Sequence, residues 1–177
     1  MEWIINIDGN ILMFIQENVR NPILTPLLIA ITTLGNSGII WIIFSLALLV
    51  PKKTRRIGLM SILALLLSLL INNIILKNLV ARTRPYEMVE GLVPLIGRPR
   101  DYSFPSGHTG SSFASAWVLF RKLPAGYGIS ALVLAGLIGI SRLYVGVHYP
   151  TDVLFGVLGG IVSGSIAMLM LRDRARA

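Results

Sequence analysis

Apolar residues occur along this chain in long runs broken by brief polar turns, and several of the runs reach the roughly 20 residues needed to cross a bilayer core. Residues 8–20 differ. There Ile11, Leu12, Phe14 and Ile15 mix with Asn10, Gln16 and Glu17 at helical spacing, which predicts a short amphipathic helix lying in the membrane interface. Residues 23–50 are almost wholly apolar, but Gly35-Asn36-Ser37-Gly38 interrupts them and predicts a kink or a break between two short helices. Beyond the basic turn Pro51-Lys52-Lys53-Thr54-Arg55-Arg56, residues 57–80 predict a spanning helix of about 36 Å at the usual rise, with Asn72, Asn73 and Lys77 in its far end. Residues 82–103 are polar, irregular and proline-bearing, a loop of a length that is often functional. A helix over residues 105–120, a basic turn at Arg121-Lys122-Leu123-Pro124, and apolar segments over residues 127–143 and 153–171 complete the pattern.

The predicted fold class is therefore all-α: a polytopic transmembrane helix bundle of about five spans, or six if the Gly35 region is a true break. It forms one domain over residues 23–177, behind an interfacial amphipathic segment over residues 1–22. Composition agrees. Of 177 residues, 54% are hydrophobic and only 14% charged, and the mean hydropathy is +0.75, which suits lipid as the solvent. The start, Met1-Glu2-Trp3, lacks the basic flank and small-residue site of a cleaved signal peptide, so no cleavage is expected. The absence of cysteine excludes disulfides, thiolate catalysis and thiolate-ligated metals.

A net charge of +8 raises the question of nucleic acid, but the basic residues fall in short turns and the tail rather than along one exposed face, so no nucleic-acid partner is expected. With five spans the basic first turn, Arg121-Lys122 and the tail residues Arg172, Arg174 and Arg176 share one side, which the positive-inside rule makes cytoplasmic. The loop over residues 82–103 and the turn around His148 then face outward. Lys77, Arg82, Arg84, Arg98, Arg100 and Arg142 lie on that outer side against the bias, and call for another explanation.

Three clusters converge there: Lys77 to Arg84-Pro85, Pro105-Ser106-Gly107-His108, and Ser141-Arg142 with His148 and Asp152; both histidines of the chain are among them. Lys77, Arg84 and Arg142 place three cations in a partly dry pocket, which is costly unless an anion neutralises them. Phosphate fits, because arginine forks match its oxygens and a helix beginning at Pro105 aims the backbone N–H groups of Ser106 and Gly107 at them, with Gly107 permitting close approach. A histidine attacks phosphorus when a carboxylate holds its far nitrogen, and His148 with Asp152, four residues on, has that form. His108 is then available as general acid and, later, to activate water. Cations and amides take the role that metals fill in many phosphoryl-transfer enzymes, so neither metal nor cofactor is expected.

Lys77, six residues, Arg84-Pro85; Pro105-Ser106-Gly107-His108; Ser141-Arg142, five residues, His148, three residues, Asp152: this order resembles the three-part signature of the type 2 phosphatidic acid phosphatase family. The resemblance implies His148 as nucleophile, Asp152 as its orienting partner, His108 as general acid, and Lys77, Arg84, Ser106, Gly107 and Arg142 as phosphate binders. It implies as substrate a membrane lipid carrying a phosphate or diphosphate, of the undecaprenyl diphosphate, phosphatidylglycerol phosphate or phosphatidic acid type. The expected partners are that phosphorylated lipid and the surrounding membrane lipids; the sequence is silent on oligomeric state.

Blander readings compete. A basic residue at a membrane helix end is ordinarily a snorkelling anchor, the reading applied to Arg82, Arg98 and Arg100. Asp152 alone reads as a helix N-terminal charge, and Asp101 is ambiguous. Gly156, Gly159, Gly160 and Gly164 read as helix-packing positions. The alternative functions are a lipid phosphotransferase and a non-catalytic anion-binding or transport membrane protein.

Overall fold

The computed structural model describes residues 2–172, and no strand occurs among them; Arg174 and Arg176 of the basic tail lie outside the described residues. Helix α1 (Glu2–Phe14) runs into a π-turn (Ile15–Val19). Helix α2 (Leu24–Leu34), a 3-10 turn (Asn36–Gly38) and α3 (Ile39–Leu49) follow. Then α4 (Arg55–Ser68) widens into a π-helix (Leu69–Leu76) and closes as α5 (Lys77–Val80). The short α6 (Pro85–Met88) interrupts the loop ahead of α7 (Gly107–Lys122), α8 (Ala125–Tyr144) and α9 (Pro150–Met170).

Three stretches are long and apolar enough to cross a membrane: Arg55–Met88, α8 and α9. The pair Leu24–Leu34 and Asn36–Leu49, bent by 47°, makes a fourth if it is one span. The five or six spans expected from the sequence are thus not reached on length and composition; among the expected spans, α7 is the one that falls short. It has 16 residues and buries Thr109, Gly110, Ser112, Ala114, Ser115 and Ala116 among others. It packs against α4, α8 and α9. A helix enclosed by protein needs small side chains rather than apolar ones.

Close approach explains the α7–α9 contact. A Cβ at Gly160 would lie 2.6 Å from the Gly110 carbonyl oxygen, and one at Gly164 would lie 2.8 Å from that of Ala114. Hydroxyls inside the bundle are paired, as lipid surroundings require: Ser45 donates to Ser61 at 2.7 Å, Ser61 and Ser115 are 2.7 Å apart, and the Trp41 indole N–H donates to Ser112 at 2.9 Å. Ile43, Leu66, Leu70, Val133, Ile140 and Leu158 are exposed; an apolar surface of this kind suits contact with lipid tails.

The interruption at Gly35 is a bend. Ser37 (φ 51°) and Gly38 (φ 66°) are left-handed, and Gly35 has no room for a side chain, since a Cβ there would lie 2.9 Å from the His108 ring. The first helix begins at Glu2, well before residue 8, and is not free of the bundle: Asp8 and Leu12 are buried, Leu12 against Leu92 and Tyr149, while Trp3, Ile7, Ile11 and Phe14 are exposed. At the opposite end Lys53, Arg56, Lys122 and Arg172 line one hollow of about 360 Å³, so the three basic clusters of the sequence do meet.

Candidate active site

The π-helix ends at Leu76, and the next residue, Lys77, turns a buried ammonium into the bundle, where it meets Asp101 at 2.5 Å. Arg84 is held extended by the proline that follows it. Its guanidinium donates to the Asp101 carboxylate at 2.6 Å, the Asp101 carbonyl at 2.8 Å and the Val147 carbonyl at 2.8 Å, and lies 3.4 Å from His148 Nε2. Arg142 comes from the last turn of α8, donates to Thr32 Oγ1 at 2.7 Å, and keeps a buried Nε without a partner. Helix α7 presents His108, whose Nε2 is 2.9 Å from Asn36 Oδ1 in the bend.

These groups line one cavity of about 690 Å³. At its floor Lys77, Arg84 and Arg142 face a single carboxylate, Asp101, leaving two uncompensated positive charges, the charge of a phosphate dianion. His108, His148 and Gly107 share this floor. Away from it the cavity continues between the bent pair (Gly38, Ile42, Leu46) and α4 (Ile62, Leu65, Leu66) as an apolar slot.

Asp152 lies behind His148, fully buried, with Oδ2 3.5 Å from Nδ1. That is an ion-pair distance slightly too long for a hydrogen bond, and His148 Nδ1 has no other partner. The carboxylate is fixed by the Ser103 hydroxyl, by the Tyr149 N–H at 3.0 Å and by Arg82 Nη1 at 2.8 Å. Burial pulls the His148 imidazole down to about 4 against the opposing pull of Asp152, and Arg142 and Arg84 reinforce the fall. Its ring is therefore neutral at pH 7, as a nucleophile must be. For Asp101, burial would raise the pKa, but the Lys77 hydrogen bond and the charges of Lys77 and Arg84 prevail and hold it at about 2.

Of the eight residues singled out in the sequence, six reach the cavity: Lys77, Arg84, Gly107, His108, Arg142 and His148. Asp152 stands behind His148. Ser106 departs from expectation. The helix starts two residues later than predicted, at Gly107, with Ser106 as its N-cap; the Ser106 N–H donates to the Asp152 carbonyl at 3.0 Å and its hydroxyl bonds Thr109. Its amide thus ties α7 to α9 and is not free for an anion. Gly107 also has a steric reason to lack a side chain, because a Cβ there would lie 2.8 Å from Asn73 Oδ1. Arg82, read as an anchor, instead bridges Asp8 and Asp152 at 2.8 Å each. Arg98 and Arg100 are exposed, as anchors would be. Asn36, Ser103 and Asp101 were missed as contributors; Asp101 carried only the signal of an acid in a basic loop. Among the described residues no three His, Asp or Glu side chains gather as a metal cluster.

A family model described as the PAP2 superfamily matches residues 58–176. The chain is 35% identical over 121 residues to an undecaprenyl-diphosphatase of Sulfolobus acidocaldarius, covering 68% of this chain and 58% of that one. It is 33% identical to phosphatidylglycerophosphatase B of Bacillus subtilis, covering 81% and 73%. Relative to the archaeal protein, the chain thus spans a little over half the length. Among solved structures, Aquifex aeolicus LpxE superposes with a TM-score of 0.80 at 31% identity, covering 90% of this chain and 93% of that one. A transmembrane PAP2-type phosphatidylglycerolphosphate phosphatase from Bacillus subtilis gives 0.77 at 30% identity, covering 97% and 88%.

Proposed function

The chain belongs to the PAP2 superfamily, and from that premise we propose that it is a multi-pass membrane phosphatase that removes phosphate from a phosphorylated lipid by way of a phosphohistidine. The observation that carries this reading is the placement of His148 Nε2 on a floor with three buried cations, with a fixed carboxylate behind its Nδ1. A phosphate entering the cavity displaces Asp101 from Lys77 and Arg84 and takes Arg142 as a third partner. Its oxygens are then held by charge-assisted bonds in a poorly hydrated site, where such bonds are strong.

His148 Nε2 attacks phosphorus, and the positive charge that develops on the ring is stabilised by Asp152. His108, which lines the same cavity, enters the cycle as an imidazolium and protonates the departing oxygen; once the lipid alcohol or phosphate has left, the neutral ring takes a proton from water as water attacks the phosphohistidine and is restored to its starting form. The apolar slot accommodates the lipid tail. The names of the relatives support substrates of the undecaprenyl diphosphate and phosphatidylglycerol phosphate type; phosphatidic acid completes the panel. The meeting of Lys53, Arg56, Lys122 and Arg172 at the far end supports a cytoplasmic location for that end and an extracytoplasmic active site. We place five spans in the bilayer, with α7 as the enclosed fifth and α1 lying in the interface.

Phosphate release from the three lipids by purified protein in EDTA, with His148→Ala as control, tests the reaction. Metal-independent release lost in the variant is the expected result; no release from any lipid by folded protein overturns the reading. Because the chain lacks cysteine, single cysteines at Glu90 and Lys122 report orientation by impermeant labelling of intact cells: Glu90 should label and Lys122 should not.

A further inference from the structure

One cation near the site makes no contact with the cavity. Arg82 donates through Nη1 to Asp152 Oδ1 at 2.8 Å and to Thr151 Oγ1 at 2.7 Å, and through Nη2 to Asp8 Oδ2 at 2.8 Å. Its guanidinium lies 3.8 Å over the Tyr149 ring. Asp8 also accepts from the Thr151 N–H at 3.2 Å and from the Thr151 hydroxyl. Two carboxylates therefore meet at the N-terminus of α9, both almost fully buried, with one guanidinium between them.

We infer that Asp8 and Arg82 are positioning residues for catalysis: Asp8 on α1 neutralises Arg82, so that Arg82 can hold Asp152 ionised and aimed at His148 without cancelling its pull on the imidazole. The electrostatics require both partners. Without Arg82, two neighbouring buried carboxylates are left with no cation between them, and their mutual repulsion drives Asp152 out of its place behind His148. Without Asp8, an unbalanced guanidinium 2.8 Å from Asp152 offsets the negative charge that the imidazolium needs. Together Asp8, Arg82 and Asp152 carry one net negative charge, which matches the one positive charge that the ring gains when His148 bonds phosphorus. A plain staple between α1 and α9 is complete with Asp8 and Thr151, which already bond each other; the guanidinium continues past them to the residue behind the nucleophile. Asp8 lies outside the residues that the family model matches.

The inference rests on His148 and Asp152 acting as proposed above. Its test uses the full chain in detergent and whichever of the three lipid phosphates the wild type hydrolyses fastest. Asp8→Asn is expected to lower kcat by about 10- to 100-fold, the range typical of groups that orient a reactive residue, with KM within about twofold. Asp8→Asn combined with Arg82→Gln is expected to be faster than either single variant, because it restores the net charge; a staple would give losses that multiply. Asp8→Asn with near-wild-type kcat, or a double variant slower than both singles, overturns the inference. If Asp8→Asn does not fold, Arg82→Gln against the double variant decides alone, and a slower double variant overturns it. His148→Ala separates the two levels: turnover retained there sinks the nucleophile assignment and this inference with it, whereas turnover abolished there with Asp8→Asn unaffected sinks only the latter.

Discussion

Both ends of the bundle are rich in lysine and arginine, yet they handle these residues differently. At one end Lys53, Lys122 and Arg172 are exposed around a shallow hollow. At the other, Lys77, Arg84 and Arg142 are 6%, 3% and 2% exposed and surround a cavity. An exposed cation at a membrane end records topology and costs little. A buried one is expensive unless something answers its charge. Burial and pairing, not residue type, therefore separate the proposed ligands from the anchors, and with the proposed orientation they account for the cations that the outer side holds against the positive-inside bias.

Substitutions at the two ends break or sharpen this contrast. Lys77→Met or Arg142→Met should lower kcat/KM by about 10²- to 10³-fold, the cost of one missing charge-stabilising group. Lys53→Met or Lys122→Met should leave it within about twofold. Equal losses at both ends, measured by phosphate release, would remove the distinction.

The glycine contacts of α9 give a second comparison. Gly156→Ala sets a Cβ 2.8 Å from the Ser106 carbonyl, beside the site, and Gly164→Ala sets one 2.8 Å from that of Ala114, nearer the basic end. Each should destabilise by about 1–3 kcal/mol through overpacking, seen as a lower unfolding midpoint. Only Gly156→Ala should also reduce kcat.

A third prediction concerns pH. The folded pKa of His148, about 4, lies below the ordinary 6.5, so the unfolded chain binds the extra proton first. Its contribution to stability is complete above pH 6.5, falls as pH drops by up to about 1.4 kcal/mol per unit, and stops falling below about 4. His148→Asn should flatten the pH dependence of the unfolding midpoint in that window; an unchanged slope would refute the burial argument. The smallest effect is at Asp101, which is half-exposed and, in the proposed mechanism, competes with phosphate for the two cations it pairs with. Asp101→Asn should tighten inhibition by inorganic phosphate about 3- to 10-fold, since the empty site becomes binding-competent more often. Weaker inhibition would mean that Asp101 organises the site instead.

The motif spacings made most of the cavity floor legible in advance, because Lys77, Arg84, His108, Arg142 and His148 each occupy a helix end or a turn whose position follows from hydrophobic runs. Partners supplied by distant segments were not legible. Asp8 reaches Arg82 across 74 positions and Asn36 reaches His108 across 72, and no local period encodes such pairings. Arg82 looked like an anchor because its two carboxylates come from opposite ends of the chain. Ser106 misled for a related reason: the N–H of an N-cap is free unless another backbone reaches it, and the carbonyl of Asp152 does. Helix α7, proposed above as the fifth span, has small and hydroxyl side chains where an apolar run was expected because α4, α8 and α9 pack around it, a circumstance that composition does not convey.

The apolar slot between the bent pair and α4 has a kinetic consequence. On the proposed function, a lipid substrate that enters there keeps its tail in the bilayer, so the quantity that governs turnover is its mole fraction in the membrane, not its concentration in bulk solution. Diluting the substrate with inert phospholipid at constant total amount lowers the rate, and adding more vesicles of unchanged composition does not raise the rate per enzyme. The two products of the proposed reaction separate by phase: phosphate escapes to water, while the dephosphorylated lipid stays in the leaflet and competes at the same opening until it diffuses sideways.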